Sequence, residues 1–169
     1  GGSCFPKDVK ALSYLSSKVK SNNFILKSII KTNEEQINNL YKIILKNTNK
    51  KKNNILILGL AFKPDTDDIR ESPSIKLIKK LINNKKYNIE VYDPVALENT
   101  KKIFKNKLEY STNLNNSVKN KDIIIVMTKW KKFKHLNNLL LKNSKTLVID
   151  PRRFLSQNKF KNYRAFGIS

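Results

Sequence analysis

Cys4 is the only cysteine in the chain, so no disulfide can close within it. Nothing marks the protein for an oxidising compartment, and a reducing cytoplasm is the expected setting. Glycine stands only at positions 1, 2, 59 and 167, and from those four no G-x-G-x-x-G phosphate loop can be assembled. No apolar stretch approaches the roughly 20 residues that a membrane span needs. The first residues also lack the basic-then-apolar order of a signal peptide, so a soluble protein without a membrane partner is expected. Arginine occurs only at 70, 152, 153 and 164, which makes the position of each one informative.

Lysine, by contrast, is everywhere, and the formal charge is +22. Clustered cations release counterions from nucleic acid and bind it tightly. Here the lysines are spread along the chain together with abundant Asn and Ile, three residues that share A/T-rich codons. No run interleaves aromatics with arginine as a stacking platform does. Codon bias accounts for the charge, and nucleic acid is not the expected partner. With 169 residues the chain has room for one domain with a proper core plus an appendage, not for two full domains.

Taken in order, Val9, Leu12, Leu15 and Val19 recur at helical spacing, with Asp8 in the N-cap position. Ser21, Asn22 and Asn23 interrupt that helix. A longer one is expected from Phe24 to Leu45, with Ile25, Ile29, Ile30, Ile37, Leu40, Tyr41 and Ile44 on it. Leu26, Ile43 and Leu45 lie to other sides, so this helix is expected to bury one face in its own domain and one against another chain. Residues 46–54 carry no apolar side chain, and a boundary is placed there.

Beyond it the rhythm changes to strand and helix in alternation. Strands are expected at 55–58, 89–92, 123–127 and 146–149, with an edge strand near 163–168. Helices are expected at 75–82, 95–104 and 131–141, the first opened by Ser72 and Pro73. This is an α/β pattern, a parallel sheet wound on both sides. In such a sheet the loops after the strands share one edge, and ligands bind there. Those loops are 61–71, 93–94, 128–130 and 150–153, and they hold Arg70, Arg152 and Arg153. Guanidinium suits bidentate contact with phosphate, so a phosphate-bearing ligand is expected. The loop 61–71 is long for its place, where roughly 2 to 6 residues suffice. It reads equally as a surface loop whose acids and bases pair with one another. Cys4 is similarly open: a helix N-terminus and Lys7 favour its thiolate, yet a lone cysteine also serves as a small buried apolar residue.

The order of motifs narrows these alternatives. GGSCFPKD at 1–8 followed by GLAFKPDTDDIRESPS at 59–74 resembles the UDP-glucose 6-dehydrogenase family, within the wider group of UDP-sugar dehydrogenases. VYDP at 91–94, TKWKKF at 128–133 and DPRR at 150–153 match further family segments, with Lys129 where Glu is common and Pro151 where the family has Gly. The resemblance implies a helical dimerisation segment followed by a Rossmann-like parallel-sheet UDP-binding domain. It also implies that residues 1–8 close a catalytic loop, 9–47 form the helical segment and 54–169 hold the UDP-sugar. The family's N-terminal NAD-binding Rossmann domain has no counterpart here, so the chain is expected to be the C-terminal portion and to be inactive alone.

The chemistry implied by that resemblance is oxidation of UDP-glucose to UDP-glucuronate with NAD used twice. Cys4 captures the intermediate aldehyde as a thiohemiacetal, which becomes a thioester that water releases. Asp8 matches the carboxylate that assists proton transfer or positions water. Gly1, through its backbone, Lys63 and Arg152 match positions that contact the UDP-sugar; Lys7 and Arg70 match positions that contact NAD. No metal is implied. Ser3 and Phe5 beside the cysteine favour a glucose-type substrate, since relatives acting on UDP-N-acetyl-hexosamines tend to have Pro and Leu there. A homodimer through the helical segment is expected. The alternatives left open are a non-catalytic module for nucleotide-sugar binding or assembly, a dehydrogenase of a related UDP-sugar and, more weakly, nucleic-acid binding through the lysines.

Overall fold

The computed structural model describes residues 4–48, 51–140 and 145–167, and Cys4 through its backbone alone. The chain divides into two compact units between Asn47 and Thr48.

The first unit is a pair of helices, α1 (Cys4–Lys18) and α2 (Phe24–Lys46). α1 starts at Cys4 rather than after Asp8, so Asp8 lies inside the helix and does not cap it. The reason is Pro6: in a first turn its missing N–H costs nothing, because those amides have no intrahelical partner anyway. α1 ends in a Schellman turn, with the Ser21 amide reaching the Ser16 carbonyl and the Lys20 amide reaching that of Ser17. Lys20 takes the left-handed conformation there (φ 53°) that glycine usually fills. The corner is then fixed by Asn23, which is buried and donates its Nδ2 to the Ser13 carbonyl (3.0 Å) and to Ser17 Oγ (2.8 Å).

The second unit is built on a six-stranded sheet in the order β3-β2-β1-β4-β5-β6. The strands are β1 (Asn53–Leu58), β2 (Tyr87–Tyr92), β3 (Glu109–Tyr110), β4 (Ile123–Val126), β5 (Leu147–Ile149) and β6 (Tyr163–Arg164). Every neighbouring pair is parallel. The helices are α3 (Pro73–Leu81), α4 (Leu97–Phe104), α5 (Leu114–Ser117) and α6 (Leu136–Leu139), the last preceded by a tighter 3₁₀ turn at Lys131–His135. Parallel strands buried on both faces read as continuous apolar runs, as 55–58 and 123–126 do.

Alternation sorts those runs onto two faces. Leu56, Leu58, Tyr92, Ile124, Val126 and Val148 belong to a cluster closed by Leu114 and Val118 from the α5 side and by Phe133 and Leu136 from the α6 side. Ile55, Ile57, Ile123, Ile125 and Ile149 point the other way and are equally buried, while α3 brings buried Leu77, Ile78 and Leu81. Fully burying one such side chain stabilises by about 1.5–3 kcal/mol, so this core holds the strand ends in place.

β1 begins two residues earlier than its apolar run. Asn54 is satisfied in the ladder by polar partners: its amide donates to Asp122 Oδ2 (2.9 Å), and its Oδ1 accepts from Asn88 Nδ2 (3.0 Å). Lys121 and Glu90 form a largely buried ion pair at 2.6 Å.

Candidate functional site

In this strand order the chain leaves β1 to one side through β2 and β3 and returns to the other side through β4. The carboxyl ends of β1 and β4 therefore part at a switch point, which is where open parallel sheets bind ligands. Gly59 ends β1 at that point with φ +89°, and Thr128 follows β4. A Cβ on Gly59 would lie 2.5 Å from Thr128 Cβ and 2.8 Å from the Thr128 amide nitrogen. Only glycine allows the two strand ends this approach. The contact is then locked by the Thr128 hydroxyl, which donates to the Ala61 carbonyl (2.8 Å).

α3 is stapled to the same spot. Ser72 accepts from the Ser74 amide as an N-cap (3.2 Å) and donates its hydroxyl to the Leu60 carbonyl (2.6 Å); Ser74 donates to the Gly59 carbonyl (2.6 Å). Both serines are buried. The helix N-terminus, with its partial positive charge, is thus held at the carboxyl end of β1.

Two buried aspartates organise the neighbouring loops. Asp93 follows β2 and accepts from the amides of Leu60 (2.7 Å), Ala61 (3.3 Å), Val95 (2.9 Å) and Ala96 (2.9 Å), and from the Trp130 indole Nε1 (3.3 Å). Asp150 follows β5 and accepts from the amides of Arg152, Phe154 and Leu155 and from the Tyr163 hydroxyl. Each is followed by proline, and an Asp at a strand end that captures the amides just beyond it forms an Asx-type turn. The repeated pattern of apolar strand, Asp and Pro, VYDP and VIDP, was the signal in the sequence; it marks loop ends there without revealing the donors that converge on each carboxylate.

Arg152 follows β5 and reaches the end of β4. Its Nε donates to the Met127 carbonyl at 3.0 Å, and its terminal nitrogens have no hydrogen bond to another described residue. Burial draws the guanidinium below its usual range, opposed by the negative charge of Asp150; the group remains a cation at any neutral pH. Lys63 is exposed beside the ring of Phe62, with Nζ 5.5 Å from its centroid. Arg70 is exposed and forked onto Asp68 through Nε (3.0 and 3.1 Å) and Nη2 (2.8 Å). Those hydrogen bonds hold the Asp68 carboxyl below the usual carboxylate range. The long loop therefore pairs its own charges in part, and Asn99 of α4 pins it further by donating to Asp67 Oδ2 (2.9 Å).

Lys63, Arg70 and Arg152 thus share the carboxyl edge of the sheet. Lys7 and Asp8 are exposed on α1 in the other unit. Gly1 lies outside the described residues, as does the side chain of Cys4, whose backbone begins α1. Among the described residues no group of three or more His, Cys, Asp or Glu could hold a metal ion, and no helix is long and apolar enough to cross a membrane.

Comparison with known proteins gives the family and the fold. Residues 56–157 match the family model for the UDP-glucose/GDP-mannose dehydrogenase family, UDP binding domain. The chain is 40% identical over 166 residues to UDP-glucose 6-dehydrogenase of Rickettsia prowazekii, an alignment covering 95% of this chain and 38% of that protein. It superposes on a UDP-glucose dehydrogenase from Pyrobaculum islandicum with a TM-score of 0.82 at 26% identity, covering 97% of this chain and 37% of the other. For GDP-mannose dehydrogenase of Pseudomonas aeruginosa, solved as a ternary complex, the TM-score is 0.82 at 27% identity, with 98% and 39% covered. The chain thus spans about two fifths of the length of these relatives.

Proposed function

The chain belongs to the UDP-glucose/GDP-mannose dehydrogenase family, and on that premise we propose that it serves an NAD-dependent UDP-glucose 6-dehydrogenase, holding UDP on the carboxyl edge of its sheet and carrying the nucleophile on α1. The observation that carries the reading is Arg152: a guanidinium on the carboxyl edge, anchored by Nε to the Met127 carbonyl, whose terminal nitrogens bond no other described residue. A preorganised fork of this kind grips a diphosphate with little further loss of side-chain freedom. Lys63 supplies a second, exposed cation on the same edge.

Cys4 is the proposed nucleophile. Its thiolate adds to the C6 aldehyde of the sugar, forming a sulfur–carbon bond while the carbonyl oxygen takes up a proton. Asp8, one helical turn on, is the proposed partner for proton transfer or for placing water. NAD supplies the hydride acceptor when bound. The residues described here do not by themselves fit that dinucleotide: the four glycines make no phosphate loop, and Arg70 is already forked onto Asp68. The apolar residues that the helical unit leaves exposed form a homodimer contact in this reading, and the cytoplasm is its setting.

The test is a calorimetric titration of the chain with UDP. Saturable binding is expected, weakened about tenfold, or about 1.4 kcal/mol, by Arg152→Met; a chain that does not bind UDP sinks the reading. In any polypeptide that includes this chain and oxidises UDP-glucose, Cys4→Ser is expected to abolish turnover, and retained turnover would remove Cys4 from its role.

A further inference from the structure

Asp93 carries more than its own turn requires. A capping aspartate needs only the amides two and three residues ahead, Val95 and Ala96, and Oδ1 takes both. Oδ2 is left for other loops, and it accepts from Leu60 and Ala61 behind β1 and from the Trp130 indole behind β4. The carboxylate is 1% exposed, so these contacts are made without competition from water, and a change in one donor is felt by the others through a shared oxygen.

Resting on the UDP-binding reading above, we propose that Asp93 is the positioning residue of the nucleotide edge: one carboxylate that fixes the loops behind β1, β2 and β4 against each other and so sets the width of the crevice that receives the diphosphate. The loop behind β1 starts at Gly59, where the strands part, and leads to Lys63. The loop behind β4 starts at Met127, whose carbonyl holds Arg152. Asp93 bridges these two loops, although it touches neither cation. Trp130 is the arm that reports on it, and it is the only tryptophan in the chain.

An amide in place of the carboxylate keeps the shape but turns an N–H₂ group toward N–H donors, so Asp93→Asn removes one acceptor without opening a cavity. The expected result is UDP affinity at least tenfold weaker. Thr146→Val is the control: it removes a part-buried hydrogen bond between loops, from the Thr146 hydroxyl to the Lys121 carbonyl (2.8 Å), at the amino edge of the sheet, and should leave affinity within twofold. The single indole N–H signal of Trp130 in a nitrogen-15 spectrum should shift on UDP binding in the wild type. Affinity within twofold of wild type in folded Asp93→Asn, or an indole signal unmoved by saturating UDP, overturns the proposal. Should Asp93→Asn fail to fold, Trp130→Phe decides: a loss of several-fold in affinity supports it, and an unchanged affinity overturns it. If the wild-type chain binds no UDP, the nucleotide reading fails and the coupling is still decided separately. Trp130→Phe should then speed hydrogen exchange at the Leu60 and Ala61 amides about tenfold, and unchanged exchange overturns it.

Discussion

In the sheet unit Leu56, Ile57, Ile124 and Ile125 are fully buried, whereas in the helical unit Val19, Phe24 and Ile25 are 74, 72 and 76% exposed. Both sets fall in segments that their apolar residues mark out, a continuous run in the strands and helical spacing in the helices. The difference lies in what each unit can bring to its own apolar faces. A two-faced sheet with a helix between most of its strands carries its cover in its own connections. Two helices joined at a corner by Asn23 cover only part of each other, and Leu12, Tyr14 and Leu15 also remain exposed. Periodicity thus locates an apolar face, and connectivity decides whether the chain itself covers it.

The largest expected effect tests whether the sheet unit is closed as tightly as its burial indicates. Gly59→Ala places a methyl group within 2.5 Å of Thr128 Cβ at a φ of +89°. Strain at that φ and overpacking against backbone that cannot yield together cost about 3 kcal/mol. A urea titration followed by Trp130 fluorescence should show the loss, with UDP binding lost in parallel. A variant as stable as the wild type would mean that the strand ends are loosely joined, and the contrast between the units would weaken.

How far this architecture was legible follows the same division. The runs at 55–58 and 123–126 and the Ser72-Pro73 start of α3 could be placed from sequence because each is a local signal with a physical cause. β3 could not, since Glu109 and Tyr110 form a two-residue edge strand with no apolar run to mark it. The expected helix at 131–141 resolves, over its described part, into a 3₁₀ turn and the short α6. Phe133 is fully buried there, and its amide bonds the Trp130 carbonyl three residues back rather than four. The gathering of the loops 61–71, 93–94, 128–130 and 150–153 on one edge was legible because parallel strands put all their following loops on one side. Asp93, Ser74, Thr128 and Asp150 were not, because their partners lie in other loops, and nothing in a linear pattern shows which loops converge.

The second prediction addresses the open unit. Val19→Glu with Ile25→Glu places charges at two of the most exposed apolar positions of the helical unit. If these positions lie in the homodimer contact, analytical ultracentrifugation should show the dimer constant weakened by on the order of a hundredfold, about 2.7 kcal/mol. The urea transition of the sheet unit, read at Trp130, should move by less than about 0.5 kcal/mol, as surface changes do. A monomeric wild type, or an unchanged dimer in the variant, removes the helical face from the proposed assembly and leaves its exposure to be explained by another partner.

The smallest effect sharpens the contrast from the polar side, at Asp150. Tyr163 donates its hydroxyl to this carboxylate at 3.1 Å, tying β6 to the loop behind β5. Burial first, then the charge of Asp150 and the hydrogen bond to it, push the phenol above its usual range. The folded protein therefore keeps that proton at a pH where the unfolded chain, with a phenol near 10, has released it. With more protons bound when folded, stability must fall as pH rises above about 10, and the Tyr163 contribution is fully present below that point. Tyr163→Phe should cost about 1 kcal/mol at neutral pH by leaving Asp150 one donor short, while flattening the alkaline limb of a stability–pH curve measured by urea unfolding. An equally steep limb in the variant would show that the alkaline loss comes from other groups, and that the Tyr163–Asp150 contact is not what keeps β6 on the sheet.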